Sequence, residues 1–283
     1  CRARTAVRRG QAMTTSQTPP AKSAAPRWSD LRDRVLSGLA MLAVGVGAVW
    51  WGGLFFAEIA VLVTGLMVWE LAAMTAPERP REARVMGLMA AAVLAAVLWV
   101  HSPFLLPVLA LPSVIGVLRP RRDHGIFAGY ALAVMLTGYG MVALRLGLGF
   151  AAIAWIVAIV VVSDVAGYFA GRTLGGPKFW PRISPKKTWS GTVAGWIGAA
   201  LVGLIGVALG GDWALVWLSP LLAFAGQMGD IAESWIKRRA GVKDSSHLIP
   251  GHGGVMDRFD AFVGAVLMLL AVAQIMPLPL GGG

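Results

Sequence analysis

Residues 54–74 read LFFAEIAVLVTGLMVWELAAM, a long and predominantly apolar run. About 20 such residues, wound as an α-helix, cross the hydrocarbon core of a bilayer. A second clear run, VMGLMAAAVLAAVLWV, occupies residues 85–100. A helix is favoured in a bilayer because it satisfies its backbone hydrogen bonds internally. The two runs therefore predict two transmembrane helices.

Similar apolar runs recur on both sides of these two. They lie at roughly 35–51, 54–74, 85–100, 103–118, 126–148, 150–170, 192–209, 213–229 and 259–277. This pattern predicts an all-α polytopic membrane protein with about nine transmembrane helices. We expect membrane lipids to surround it.

The composition indicates the same class of protein. Of the 283 residues, 57% are hydrophobic and only 14% are charged, and the mean hydropathy is +0.70. A soluble domain carries about 25% charged residues. These values exclude a disordered or fibrous chain. The net charge of +11 fits basic loops at an anionic membrane surface, so we expect no nucleic-acid partner.

The distribution of basic residues predicts the orientation of the helices. With the N-terminus inside and nine alternating spans, every Lys and Arg except Arg145 falls on the inner side. The inner segments are then the N-terminal tail and the loops at 75–84, 119–125, 171–191 and 230–258. Cytoplasmic loops carry such an excess of Lys and Arg. We therefore predict an N-in, C-out topology with the polar loops in the cytoplasm.

The predicted organisation has four parts. A basic, disordered tail covers 1–34, and its residues 1–12 are expected to precede a natural start at Met13. N-terminal transmembrane helices cover 35–150, a catalytic transmembrane region covers 151–277, and a short tail covers 278–283.

Asp164 stands out in the second half of the chain because it follows the apolar run 151–162. An aspartate inside a span costs about 2.5–3.5 kcal/mol on insertion scales, and such residues normally face a partner or a watery cavity. We expect it to line a polar pocket. A packing contact near the membrane interface is the alternative.

The loop at 171–191 contains Ser184-Pro185-Lys186-Lys187-Thr188-Trp189-Ser190. The Ser-Pro pair predicts a turn before two bases. Lys186, Lys187, Thr188 and Ser190 could donate hydrogen bonds to a phosphate. A plain basic loop on the inner side of the membrane is an equally good interpretation of this loop alone.

The densest polar segment covers residues 229–260. If 229–239 is helical, one face carries Asp230, Glu233, Ser234, Lys237 and Arg238, although a solvated helix would show the same spacing.

A glycine-rich turn follows in the same segment, and its backbone N–H groups could approach an anion closely. It is Pro250-Gly251-His252-Gly253-Gly254, with Asp257 and Asp260 immediately after it. Mg²⁺ takes one or two carboxylates together with phosphate oxygens. The segment therefore predicts a magnesium and phosphate site, with bases such as Lys243 and Arg258 around the phosphates.

Three stretches together resemble the phosphatidate cytidylyltransferase (CDP-diacylglycerol synthase) family. They are SWIKRRAGVKDSSHLIPGHGGVMDRFD at 234–260, SPKKTW at 184–189 and DVAGYFAG at 164–171. The resemblance covers about residues 30–277. It departs from the family pattern at Ser190, where the family usually has glutamate, and at Val165 and Ala166, where it usually has Thr and Gly.

The resemblance implies a Mg²⁺-dependent homodimeric enzyme of the bacterial inner membrane. It would condense phosphatidate with CTP on the cytoplasmic side, giving CDP-diacylglycerol and pyrophosphate. It places the metal-binding aspartates at Asp230 and Asp257, and we add Asp260 to the candidate metal ligands. The remaining candidates are catalytic Lys237, Arg238, Lys243, Asp244, His252 and Arg258, substrate-contacting Ser184, Lys186, Lys187, Gly253 and Gly254, and pocket residues Asp164, Glu233 and Ser234.

Three other functions fit parts of the pattern. A CTP-dependent polyprenol kinase would need a base for its alcohol nucleophile and would release CDP instead of pyrophosphate. An archaeal-type lipid cytidylyltransferase would differ in the lipid alone. A secondary transporter would also bury an aspartate such as Asp164, but its polar residues would lie at mid-membrane.

Overall fold

The computed structural model describes residues 28–100 and 102–280, with side chains from residue 35 onward. Helices dominate it. They are α1 Trp28–Trp51, α2 Gly53–Thr75, α3 Pro80–Val100, a 3₁₀ helix Pro103–Ala110, α4 Leu111–Leu118, α5 His124–Thr173, α6 Trp189–Ala208, α7 Ala214–Ala240 and α8 Met256–Ala273. The prediction of a mostly helical membrane protein is confirmed. Of the predicted tails, 1–27 and 281–283 lie outside the described residues, and α1 begins inside the predicted 1–34 tail.

Five described helices are long and apolar enough to cross a membrane: α2, α3, α5, α6 and α7. Helix α5 has 50 residues, and Gly149 interrupts it with φ 77° and ψ −163°. The two halves coincide with the predicted runs 126–148 and 150–170. The apolar parts of α1 and of 103–118 are shorter than 18 residues. Nine spans and their orientation therefore stay predictions.

The run at 103–118 is helical but divided. Pro107 lies inside the 3₁₀ helix, and Pro112 lies in the first turn of α4. Proline lacks a backbone N–H and interrupts the α-helical hydrogen-bond ladder. These prolines explain why one predicted span becomes two short helical pieces.

The strictly all-α prediction needs one correction, which falls in the 171–191 loop. Strands β1, Lys178–Trp180, and β2, Ser184–Thr188, form an antiparallel hairpin. Ser184 pairs with Trp180 and begins a strand, so the turn predicted at Ser184-Pro185 is wrong. Thr188 ends the hairpin and caps α6, because its Oγ1 accepts a hydrogen bond from the Gly191 N–H at 3.2 Å.

Helices α7 and α8 approach each other closely through small residues. A Cβ placed on Gly264 would collide with the carbonyl oxygen of Ala225, and one on Gly229 would lie 2.9 Å from the Gly264 nitrogen. Small residues at a helix interface let the backbones come into contact. This contact brings Asp230, next to Gly229, toward Asp260 on the neighbouring helix.

The buried core packs α2, α3 and α5 against residues of α7 and α8. Leu71, Leu94 and Phe127 are fully buried there, together with Met256 at the start of α8. The first residue of α8 is therefore held in the core. This packing fixes the end of the bundle at which the polar loops meet.

Candidate active site

A cavity of about 400 Å³ opens where the end of α5 meets β2, the start of α6 and the middle of α7. Its walls include Asp164, Arg172, Lys186, Lys187 and Asp230. The cavity therefore combines residues from all three polar segments of the sequence. Three bases and two carboxylates facing one space suit a polar, highly charged ligand.

Backbone contact between α5 and α6 shapes one wall of this cavity. A Cβ on Gly167 would lie 3.1 Å from the Gly191 carbonyl oxygen, and one on Gly171 would lie 2.8 Å from Thr188 Oγ1. Larger residues would push the helices apart. Gly167 and Gly171 therefore let the end of the hairpin and the start of α6 lie directly against α5.

Lys187 forms an ion pair with Asp230 at the cavity wall, with 24% and 30% of the two side chains exposed. Asp230 also accepts a hydrogen bond from Ser234 Oγ at 3.2 Å. Lys186, the preceding residue of β2, is exposed and also lines the cavity. In an extended chain the basic loop and the third polar segment would lie about 120 Å or more apart. In the folded protein they meet at Asp230.

Three carboxylates cluster beside this ion pair. Asp230, Glu233 and Asp260 each place an oxygen within 4.8 Å of the others. Oxygen donors at this spacing fit a hard divalent cation such as Mg²⁺. Two of the three predicted metal ligands, Asp230 and Asp260, are in this cluster. Glu233, predicted as a pocket residue, completes it.

Lys237 joins this cluster to the third predicted metal ligand. Its Nζ lies 2.6 Å from Glu233 Oε2 and 2.6 Å from Asp257 Oδ1. All three side chains are nearly or fully buried, with 11%, 0% and 6% exposed. One ammonium thus lies between two carboxylates. The prediction that 229–239 is helical is confirmed, and Glu233 and Lys237 of the predicted face belong to this buried network, whereas Arg238 is exposed.

Asp257 is held by several donors besides Lys237. Its Oδ2 accepts hydrogen bonds from the Gly254 N–H at 2.7 Å and from the Ser245 N–H and Oγ at 3.0 Å. Asp257 lies outside the three-carboxylate cluster of the described residues. Its observed contacts fix the glycine-rich turn to the first turn of α8.

His252 lies at the tip of this turn, next to α1. Its Nδ1 is 2.9 Å from Ser37 Oγ, and its carbonyl oxygen accepts hydrogen bonds from Arg258 Nη2 at 2.6 Å and Nε at 3.0 Å. Gly253 adopts a φ of +84°, which favours glycine. The structure therefore brings His252, Gly253 and Arg258 together.

Other candidates lie at the rim. Arg238 donates a hydrogen bond to the Val242 carbonyl at 3.3 Å and so contacts the end of its own helix. Lys243 and Asp244 are exposed on the following loop. Ser184 lies in β2 and is not among the residues that line the cavity.

Arg239 ties the end of α7 to the turn before α5. Its Nη2 donates to Asp123 Oδ1 at 2.7 Å, and this hydrogen bond lowers the pKa of Asp123 below its usual value. The contact connects the helix that carries the site to the N-terminal half of the bundle.

One buried acid escaped the sequence analysis. Glu70 of α2 is fully buried, and its carboxylate contacts the 245–256 segment. An acidic residue inside an apolar span is the signal that could have identified it.

The chain belongs to the cytidylyltransferase family, whose profile matches residues 32–276. This match covers most of the chain and all three polar segments. The resemblance inferred from the motifs is therefore confirmed.

Three relatives share the name phosphatidate cytidylyltransferase. The protein from Brucella suis is 33% identical over 259 residues, covering 89% of this chain and 96% of the relative. The protein from Staphylococcus saprophyticus is 43% identical over 124 residues, covering 41% of this chain and 46% of its own. The one from Helicobacter pylori is 40% identical over 127 residues, covering 44% and 47%.

Proposed function

We propose that this protein is a phosphatidate cytidylyltransferase, which makes CDP-diacylglycerol and pyrophosphate from phosphatidate and CTP. The observation that carries the proposal is the position of Asp230, which belongs both to the base-lined cavity and to the three-carboxylate cluster. A site for joining two phosphates needs bases and metal-binding carboxylates side by side. The similarity to the Brucella suis relative along nearly its whole length supports the same activity.

The proposed reaction transfers the CMP group. A phosphate oxygen of phosphatidate attacks the α-phosphorus of CTP, and the bond from that phosphorus to the bridging oxygen breaks, so that pyrophosphate leaves. The second pKa of a phosphate monoester is about 6. The nucleophile is already largely deprotonated at neutral pH, and no side chain needs to act as its base.

The main obstacle is electrostatic, because both reactants are anions. Lys186, Lys187 and Arg172 at the cavity are suited to hold phosphate oxygens and to offset the developing charge. We assign Lys237, Arg238, Lys243, Asp244, His252 and Arg258 to the surrounding catalytic set. We assign Ser184, Gly253 and Gly254, which lie outside the cavity lining, to substrate contacts beyond the cavity. Asp164, Glu233 and Ser234 shape the polar pocket.

We assign Mg²⁺ to the carboxylate cluster. Asp230, Asp260 and Glu233 would hold it, and Asp257 remains the candidate ligand that the family resemblance indicates. When bound, the ion would supply positive charge to the triphosphate and the departing pyrophosphate. The fit rests on the oxygen donors and their mutual spacing.

We also propose the cellular setting. The protein would span the bacterial inner membrane about nine times, N-in and C-out, with 35–150 as supporting helices and 151–277 as the catalytic region. The site would face the cytoplasm, where CTP is found, and phosphatidate would enter from the inner leaflet. The working unit would be a homodimer.

The test is an assay of the purified full-length protein in detergent or lipid with phosphatidate and labelled CTP. We expect CDP-diacylglycerol and pyrophosphate, formed with Mg²⁺ and abolished by EDTA. Release of CDP with a polyprenol acceptor would instead indicate the kinase. No product with phosphatidate in the presence of Mg²⁺ would contradict the proposal.

A further inference from the structure

Glu70 is a fully buried carboxylate, and four donors from one distant segment converge on it. Its Oε1 accepts hydrogen bonds from the Val255 N–H at 2.9 Å and from Ser246 Oγ at 2.6 Å. Its Oε2 accepts from the Met256 N–H at 2.7 Å and from Ser245 Oγ at 3.1 Å. Every donor lies at least 175 positions away along the chain. Glu70 therefore attaches the 245–256 segment to helix α2.

Two of these donors identify a capping role. Val255 is the N-cap residue of α8, and its side chain makes no capping hydrogen bond. The first N–H groups of a helix need acceptors, and a negative charge there is favoured by the helix dipole. Glu70 supplies both from another helix. The capping hydrogen bonds offset the cost of burying its carboxylate.

Ser245 links this cap to the candidate active site. Its hydroxyl lies 3.1 Å from Glu70 Oε2 and 3.0 Å from Asp257 Oδ2, so its one proton is shared between the two carboxylates. Asp257 in turn lies 2.6 Å from Lys237, which pairs with Glu233 of the carboxylate cluster. The chain of contacts from Glu70 to the cluster therefore has no gap.

Gly254 shows how tightly the segment is held. A Cβ at this position would collide with both Glu70 and Ser245. The turn therefore lies directly on the glutamate, without an intervening side chain. The backbone N–H of this same Gly254 donates to Asp257, so one short turn contacts both carboxylates.

We propose that Glu70 is a positioning residue for cytidylyl transfer. By holding the 245–256 segment and the start of α8, it fixes Asp257 relative to Lys237 while touching neither substrate. This inference rests on the proposed function. A Gln at position 70 keeps the volume but replaces one carboxylate oxygen with an NH₂ group, which would face the backbone N–H of Val255 or Met256, so the attachment of the segment would weaken.

The test compares Glu70→Gln with Glu58→Gln, a matched change at an exposed glutamate of the same helix. Initial rates are measured well below the melting temperature with both substrates varied. We expect Glu70→Gln to lower kcat at least tenfold with less than a threefold change in KM for phosphatidate. Glu58→Gln should leave both constants unchanged. An unchanged kcat in folded Glu70→Gln would overturn the proposal.

Trypsin cleavage after the exposed Lys243 provides a readout independent of activity. We expect the cleavage fragment, identified by mass, to form at least fivefold faster in Glu70→Gln than in Glu58→Gln. An equal rate would overturn the attachment of the segment. If the wild-type protein lacks transferase activity, the proposed function fails while this measurement still tests Glu70.

A milder variant tests the same proposal if Glu70→Gln does not fold. Ser246→Ala removes one of the four donors and leaves the carboxylate in place. We expect a threefold or larger fall in kcat and faster cleavage after Lys243. A kcat and cleavage rate equal to those of the wild type would then overturn the proposal.

Discussion

The ammonium of Lys237 lies 2.6 Å from the carboxylate of Asp257, which follows it by 20 positions and lies in the first turn of the next helix. The same ammonium lies 2.6 Å from Glu233. Lys237 thus places one positive charge between two buried carboxylates of different helices. This contact connects the metal-binding cluster to the glycine-rich turn.

Lys237→Met should therefore destabilise the protein as well as inactivate it. Removing one member of a buried ion pair costs about 3–5 kcal/mol, because the remaining charges lose their partner. We expect a clearly lower Tm in detergent and at least a hundredfold fall in kcat. Lys243→Met, a matched change at an exposed lysine, should keep the wild-type Tm. An unchanged Tm for Lys237→Met would contradict a buried pairing role.

Lys187→Met should lower activity strongly while the fold persists. Lys187 pairs with Asp230 at the cavity wall, and oriented charges at such sites contribute about 10²–10³ in rate. We expect a loss of this size in kcat/KM for CTP. Lys178→Met, in β1 of the same hairpin, lies outside the cavity lining and serves as the control. Equal activity of the two variants would remove Lys187 from the substrate site.

Asp260→Asn should raise the Mg²⁺ concentration required for half-maximal activity. Asp260 belongs to the three-carboxylate cluster, and a neutral amide is a weaker ligand for a hard cation. We expect an increase of at least tenfold, with part of the activity restored at high Mg²⁺. The measurement is a Mg²⁺ titration of initial rate at fixed substrate concentrations.

Asp257→Asn, measured in the same titration, distinguishes two roles for that aspartate. A metal ligand would shift the Mg²⁺ response as Asp260→Asn does. A purely structural anchor for the turn would lower the Tm and kcat while the Mg²⁺ response stays that of the wild type. The family resemblance predicts the first outcome.

Gly264→Ala should loosen the contact between α7 and α8. The added methyl group would collide with the Ala225 carbonyl, and such overpacking costs about 1–3 kcal/mol. We expect a lower Tm and reduced activity, because Asp230 and Asp260 would move apart. Gly129→Ala is the control, since a Cβ there meets nothing within 4 Å and alanine favours a helix. A wild-type Tm for Gly264→Ala would contradict the close approach.

Much of the fold follows from local patterns. Long apolar runs predict helices because a helix satisfies its backbone hydrogen bonds internally in lipid. The gap between the runs 126–148 and 150–170 also falls at Gly149, where α5 is interrupted. The hairpin at 178–188 was missed because its strands are only three and five residues long, too short to show an alternating pattern. Strand pairing of that kind depends on the helices that hold its ends, here α5 and α6.

The sequence by itself determined the membrane class, the family and the residue types of the site, because hydropathy and motif spacing depend only on the order of the residues. Only the tertiary structure decided which acids meet. The cluster of Asp230, Glu233 and Asp260 exists because Gly229 and Gly264 let two helices touch. The role of Glu70 depends on a contact 186 positions away, and no local pattern encodes a contact between such distant residues.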